Sequence, residues 1–207
     1  MEEFFMKSHL FLKILFLCGF VTGLFASAGV FVYGRGPRGE RTFLLARRAG
    51  RCWENLSGRF DPDTDADGRA AAMREALEET AGILKIDRRR LEDFDQVRRH
   101  DIFTYDAKGA YLNPSLMTVS RQRMHDEWKH CEEDLRNAKG RVDRKNLEHL
   151  CRLRKDAFTH IENDDWHWFT LEQIKEEHRN GALCSKMDDY LFDRKGPTDA
   201  FRRLECL

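Results

Sequence analysis

Glu75, Glu78 and Glu79 stand three and four residues apart in the stretch RAAAMREALEETAG (residues 69–82). On a helix each residue advances about 100°, so Glu78 falls about 60° to one side of Glu75 and Glu79 about 40° to the other. Like charges that close repel by about 0.2–0.5 kcal/mol per pair at an exposed site, and by more when partly buried. A hard divalent cation removes that cost, because carboxylate oxygens are the ligands Mg²⁺ prefers and Mn²⁺ also accepts. Arg74, four residues before Glu78, can hold that carboxylate from the side. The competing reading is a plain solvated acidic face, as on many charged helices.

The elements around this turn must hold the three carboxylates still. Asp67 can cap the start of a helix running to about Ala81, and Gly82 takes the position that ends helices without a steric penalty. Ahead of it lies a loop, Arg47 to Asp67, with Gly50, Gly58 and a cluster of aspartates that includes Asp63 and Asp65. Two strands, Gly29–Tyr33 and Thr42–Ala46, flank the turn-rich GRGPRGE and suggest a hairpin. Arg47, Arg48 and Arg51 follow the second strand; they could hold phosphate oxygens or form a solvated basic loop. Trp53 or Trp166 could stack a base, with core packing the alternative for both.

Downstream, strand-like pieces occur near Gln96–Tyr105 and Ser115–Val119. From Arg121 the texture changes. Met124, Trp128, Cys131 and Leu135 form one apolar stripe on a charged helix, Gly140 breaks it, and Leu147, Leu150 and Cys151 begin a second. The pattern predicts a helical hairpin over about 121–156 inserted into an α/β domain, its stripe serving as packing or as a contact face for another protein. Asp165–Thr170 reads as a strand and Leu171–Arg179 as a short helix before Gly181. The histidines show no helical metal spacing, and none is assigned to a site.

Arg74-Glu75, Glu78-Glu79 and Gly82-Ile83, with Gly58 upstream, resemble the box of the Nudix hydrolase family, G-x5-E-x7-R-E-U-x-E-E-x-G-U with U apolar. TFLLARRAGRCWENLSGRF and DDWHWFTLEQI resemble the family's approach strand and its late Trp-containing strand. This chain has fifteen residues between Gly58 and Arg74 where the pattern has thirteen, Asp63 or Asp65 in place of the mid-loop Glu, and one extra residue before Gly82. The resemblance implies an α/β (α+β) fold, a Nudix-like α/β/α sandwich of mixed sheet, here with an inserted helical hairpin. It also implies Mg²⁺-dependent hydrolysis (Mn²⁺ the substitute) of the diphosphate bond in a nucleoside diphosphate linked to another moiety. Glu75, Glu78 and Glu79 are then the metal residues, with Arg74 and Glu78 in the catalytic group. Arg47, Arg48 and Gly58 would contact substrate, and Asp63, Asp65 and Gly82 shape the loop. The proton acceptor falls among Glu162, Asp164, Asp165 and Glu78. Two other readings stay open: a catalytically silent binding module of the same fold, or a membrane-tethered interaction protein acting through the hairpin.

Lys and Arg number 36 against 36 Asp and Glu, which excludes a globally basic nucleic-acid binder, so no nucleic-acid partner is expected; a nucleotide-type small molecule as partner is what the resemblance implies. Residues 14–34 carry no charge; Lys7 and Lys13 precede them, and Ala26-Ser27-Ala28 has the small-x-small form of a cleavage site. Residues 1–28 therefore read as a signal peptide or membrane anchor and 29–207 as the hydrolase domain. Membrane association would run through residues 14–33, for an exported or anchored protein, with a cytoplasmic one as the alternative. The six cysteines form no C-x-x-C pair and read as scattered free thiols.

Overall fold

The computed structural model describes residues 27–47, 50–97, 100–107, 112–138, 141–161, 163–193 and 196–207. Arg48, Glu162 and nearly all of the leader lie outside these. Six strands build the main sheet: β1 (Ser27–Arg35), β2 (Arg41–Arg47), β3 (Leu56–Arg59), β4 (Leu91–Val97), β5 (His100–Asp106) and β6 (Asp165–Thr170). Their order is β4-β5-β1-β2-β6, with β3 paired to the first half of β1. Strands β1 and β5 run parallel and every other pair in the sheet is antiparallel, so the sheet is mixed, as expected.

Alternation along β1 distributes its side chains to two layers. Ala28, Val30 and Val32 face helix α1 (Gly68–Glu79), which presents Ala71, Ala72 and Ala76. Phe31, with Phe43, Leu45 and Ile102, faces the opposite layer. That layer is made by α4 (Leu171–Arg179), α5 (Ser185–Leu191) and α6 (Asp199–Cys206) through Ile174, Met187, Leu191, Phe201 and Leu204. Alanines let α1 approach the sheet closely while favouring helix. Enlarging fully buried Ala72 would push α1 off β1 at a cost of about 1–3 kcal/mol. A short hairpin, β7 (Phe192–Asp193) with β8 (Gly196–Pro197), joins α5 to α6. Neither α5 nor α6 was expected from the sequence; both are short, and α6 buries Ala200, Phe201 and Leu204 along one face.

The inserted hairpin is present but longer than its stripe suggested: α2 spans Pro114–Asn137 and α3 Arg141–Thr159. Ser115–Val119, expected as strand, is the first turn of α2. Asn113 accepts a hydrogen bond from the Ser115 amide and Pro114 occupies the first helical turn, where its missing N–H costs nothing. Trp128 stacks on Phe158 at 5.6 Å, so the stripe is packing between the two helices. Leu116, Val119, Leu150 and Leu153 remain exposed on the hairpin.

The cysteines correct the free-thiol reading. Cys131 and Cys151 bridge α2 to α3, and Cys52 and Cys184 join the approach to β3 to the approach to α5; Cys206 is free. Strand β1 begins at Ser27, so the sheet reaches two residues into the segment read as leader. Residues 27–33, the end of the apolar run, form sheet rather than the tail of a span. Among the described residues no helix is long and apolar enough to cross a membrane.

Candidate active site

Helix α1 starts where expected. Asp67 accepts from the Ala70 amide at 2.9 Å and pairs with Arg88. Hydrogen bonding from Arg88 is the main cause that holds Asp67 down at about 2, against the cost of its partial burial. The far end of α1 shows how the extra residue before Gly82 is absorbed. Ala81 takes a left-handed conformation, φ 54°, followed by Gly82 at 77°, whose N–H reaches back to the Leu77 carbonyl at 2.8 Å. A left-handed non-glycine costs about 1–2 kcal/mol. Two neighbours support the turn: the Trp166 indole N–H donates to the Glu79 carbonyl at 2.7 Å, and the Ser120 hydroxyl donates to the Ala81 carbonyl at 2.8 Å. Trp166 and Trp53 are both buried, so both belong to the core.

Between these two ends, the three glutamates project toward β3. Glu75, Glu78 and Glu79 line a cleft of about 440 Å³ together with Ser57, Gly58, Arg59, Arg74 and His160. The solvated-face reading therefore does not describe them. Glu79 is 7 % exposed, and its Oε2 accepts the Ser57 amide at 2.8 Å. Glu75 lies against Gly58 so closely that any Cβ there would collide with its carboxylate. Burial pushes Glu75 above the usual carboxylate range, while Arg74 pulls it back.

Arg74 organises the cleft through all of its guanidinium nitrogens. Its Nη1 lies 2.8 Å from Glu75 Oε1 and 3.0 Å from Glu78 Oε2. Its Nε and Nη2 donate to the two oxygens of Asp65 at 3.0 and 2.9 Å, and Nη2 also donates to the Arg59 carbonyl at 2.7 Å. One side chain thus ties α1 to the loop and to β3 with the planar fork only arginine has. Of the two loop acids, Asp65 is buried behind Arg74 and Asp63 is exposed.

Other expected residues lie elsewhere. Arg47 and Asp165 pair with each other, Nη2 to Oδ2 at 2.8 Å, where β2 meets β6, and Arg47 also covers the Trp53 ring at 4.4 Å. Neither is among the residues lining the cleft, nor is Asp164, whose amide donates to the Arg47 carbonyl. His160 is the residue that sequence reasoning passed over. It ends the inserted hairpin at the same junction that carries Asp164 and Asp165, and the return of the chain toward β6 is what brings it to the glutamates.

The donor chemistry of the three carboxylates fits a hard divalent ion: oxygen-only side chains, one of them, Glu79, almost wholly withdrawn from solvent. Among the described residues no three acidic or imidazole groups converge on a single point, and Arg74 sits between Glu75 and Glu78. That arrangement suits Mg²⁺, which commonly takes one or two carboxylates plus substrate phosphate oxygens and keeps its waters, rather than a closed protein cage.

No protein-family model matches the chain, and no curated protein matches it. Among solved structures it is similar to a Nudix hydrolase from M. smegmatis, RenU, at 12 % identity over 88 % of this chain and 84 % of that one, TM-score 0.43. It is similar to a Nudix hydrolase from Alicyclobacillus acidocaldarius at 12 % identity over 87 % and 90 %, TM-score 0.44. For a C. elegans Ap4A hydrolase the values are 16 %, 87 % and 95 %, with a TM-score of 0.41.

Proposed function

We propose that this chain is a Nudix-type hydrolase that cleaves the diphosphate bond of a nucleoside diphosphate linked to another moiety, using Mg²⁺ or Mn²⁺. The observation that carries the reading is the cleft itself: three glutamates of one helix turn, Glu75 and Glu78 paired with Arg74 and Glu79 with the Ser57 amide, lining a cavity where an exposed acidic helix would face water. Glu75 and Glu79 are the carboxylates that would hold the ion, and when bound it would neutralise phosphate oxygens and acidify a water. Arg74 keeps Glu75 and Glu78 in place. Arg59, at the mouth of the same cleft, is positioned to meet phosphate oxygens. Glu78 is the best-placed proton acceptor among the described candidates, since Asp165 is tied to Arg47 outside the cleft. Water oxygen attacks one phosphorus, the bridging P–O bond breaks, and the proton of the attacking water passes to a Glu78 oxygen.

Phosphate-ester release from a panel of nucleoside diphosphate conjugates, with and without Mg²⁺, tests the reading. Glu79→Gln should lower kcat/KM by about 10²–10³-fold, the usual scale for one lost electrostatic contact at a reacting phosphoryl group. Equal turnover in both proteins removes the assignment of this cleft.

Two disulfides within the folded domain support a compartment that keeps cysteines oxidised, with residues 1–26 acting as an export or anchoring segment. Because Ser27 and Ala28 pair with Arg59 and Gly58 in the sheet, processing ahead of Ser27 leaves β1 whole.

A further inference from the structure

A second cavity, of about 340 Å³, lies on the other side of β3 from the glutamates and shares Ser57, Gly58 and Arg59 with their cleft. Its walls come from the start of β1, the approach to β3, the start of β5, and α5. Three features shape its chemistry. Lys186 projects from α5, and no carboxylate pairs with it among the described residues. His100, bonded to the Ser27 hydroxyl at 2.6 Å, is held below its ordinary value by burial and by the Lys186 charge. Glu54 is the one acidic residue lining the cavity, beside the two cations Lys186 and Arg59. Apolar surface from Phe31, Met187 and the Tyr190 ring completes a wall suited to a sugar or ring system.

The cavity is also built rigidly. Cys52 and Cys184 join its two sides covalently, with Cα atoms 4.8 Å apart. Beside them the Trp53 amide donates to the Ala182 carbonyl at 2.8 Å, and the Cys184 amide to the Trp53 carbonyl at 2.9 Å. Asn55 on one side and Lys186 on the other therefore keep a fixed separation. A rigid, pre-formed pocket opening onto a reactive cleft is the arrangement that selects among substrates.

We infer that this cavity seats one of the two groups joined through the diphosphate, and that Lys186 selects a group carrying an additional anionic substituent, carboxylate or phosphate. The inference rests on the hydrolase reading for the position of the diphosphate. Two pairs of probes separate the anion sources: UDP-glucose against UDP-glucuronate, which differ by one carboxylate, and NADH against NADPH, which differ by one phosphate. The anionic member of at least one pair should bind about tenfold more tightly, the scale of one charge-assisted hydrogen bond in a partly open pocket. Lys186→Ala should bring that ratio to about one, and Lys186→Arg should keep it. Affinities are read by titration calorimetry as well as from KM, so a protein that cleaves none of the four overturns the hydrolase reading while the binding ratios still decide the role of Lys186. A ratio near one for both pairs in the native protein, or a ratio unchanged in Lys186→Ala, overturns this assignment.

Discussion

Gly58→Ala isolates the contact between β3 and the glutamate turn. Gly58 has no left-handed backbone to protect, so what stands against alanine is the Glu75 carboxylate, which lies where its Cβ would stand. Two responses are open to the protein. Glu75 can swing out, giving up its 2.8 Å ion pair with Arg74, or α1 can retreat from β3 and disturb the Ser57–Glu79 hydrogen bond as well. The first costs about 1 kcal/mol, one hydrogen bond to a charged group partly offset by solvent. The second costs about 1–3 kcal/mol of overpacking. At about 2–4 °C per kcal/mol for a domain of this size, Tm should fall by about 2–12 °C while the far-ultraviolet circular dichroism is unchanged. Activity should suffer more than stability. Moving a group by about 1 Å at a reacting centre costs about 10²-fold, so kcat/KM should drop by that factor and the Mg²⁺ concentration for half-activity should rise. A double-mutant cycle sharpens the test: Glu75→Gln should cost far less in the Gly58→Ala background than alone, because the group is already displaced. Native kcat/KM in Gly58→Ala, or full additivity of the two changes, refutes the placement of Glu75.

Asp67→Ala should destabilise by about 1 kcal/mol through loss of the cap on α1. Because the folded-state value of Asp67 is depressed to about 2, its contribution is present above the ordinary aspartate range and is lost as pH falls. The Tm gap between the two proteins should accordingly be constant from pH 5 to 8, narrow below about pH 4 and close near pH 2, as differential scanning calorimetry can follow. Intact mass spectrometry of the native protein after alkylation without reductant should find Cys52, Cys131, Cys151 and Cys184 protected and Cys206 modified, with an N-terminus no later than Ser27. Cys184→Ser should lower stability by about 2–4 kcal/mol in chemical denaturation.

What could be read along the chain was whatever depends on neighbours in sequence. The sector of Glu75, Glu78 and Glu79 follows from helical periodicity and the cap at Asp67 is local chemistry, so both appear where expected, whereas the helix stops at Glu79, two residues early, with left-handed Ala81 in the position assigned to Gly82. The mixed sheet with helices on both faces follows from the same local signals taken together. Ser115–Val119 went astray because its β-branched and apolar residues outweighed Asn113 and Pro114, which mark a helix start just ahead. The rest depends on distant partners. Nothing near Cys52 announces Cys184, separated by 132 positions. Asp65 over Asp63 was undecidable until Arg74 was seen to point at only one of them. His160, His100 and Lys186 come to cavities solely through the packing of the hairpin junction and of α5 on the sheet.

The covalent staples also govern what a protease could accomplish. The turn joining α2 to α3 lies between Cys131 and Cys151, and both ends of the Cys52–Cys184 link lie outside it. A single cut at that tip would leave both fragments tethered twice, and the species would migrate as one until a reductant separated it. An opening, a graft of foreign sequence or relocated ends introduced between Asn137 and Arg141 would therefore leave the two parts of the fold joined.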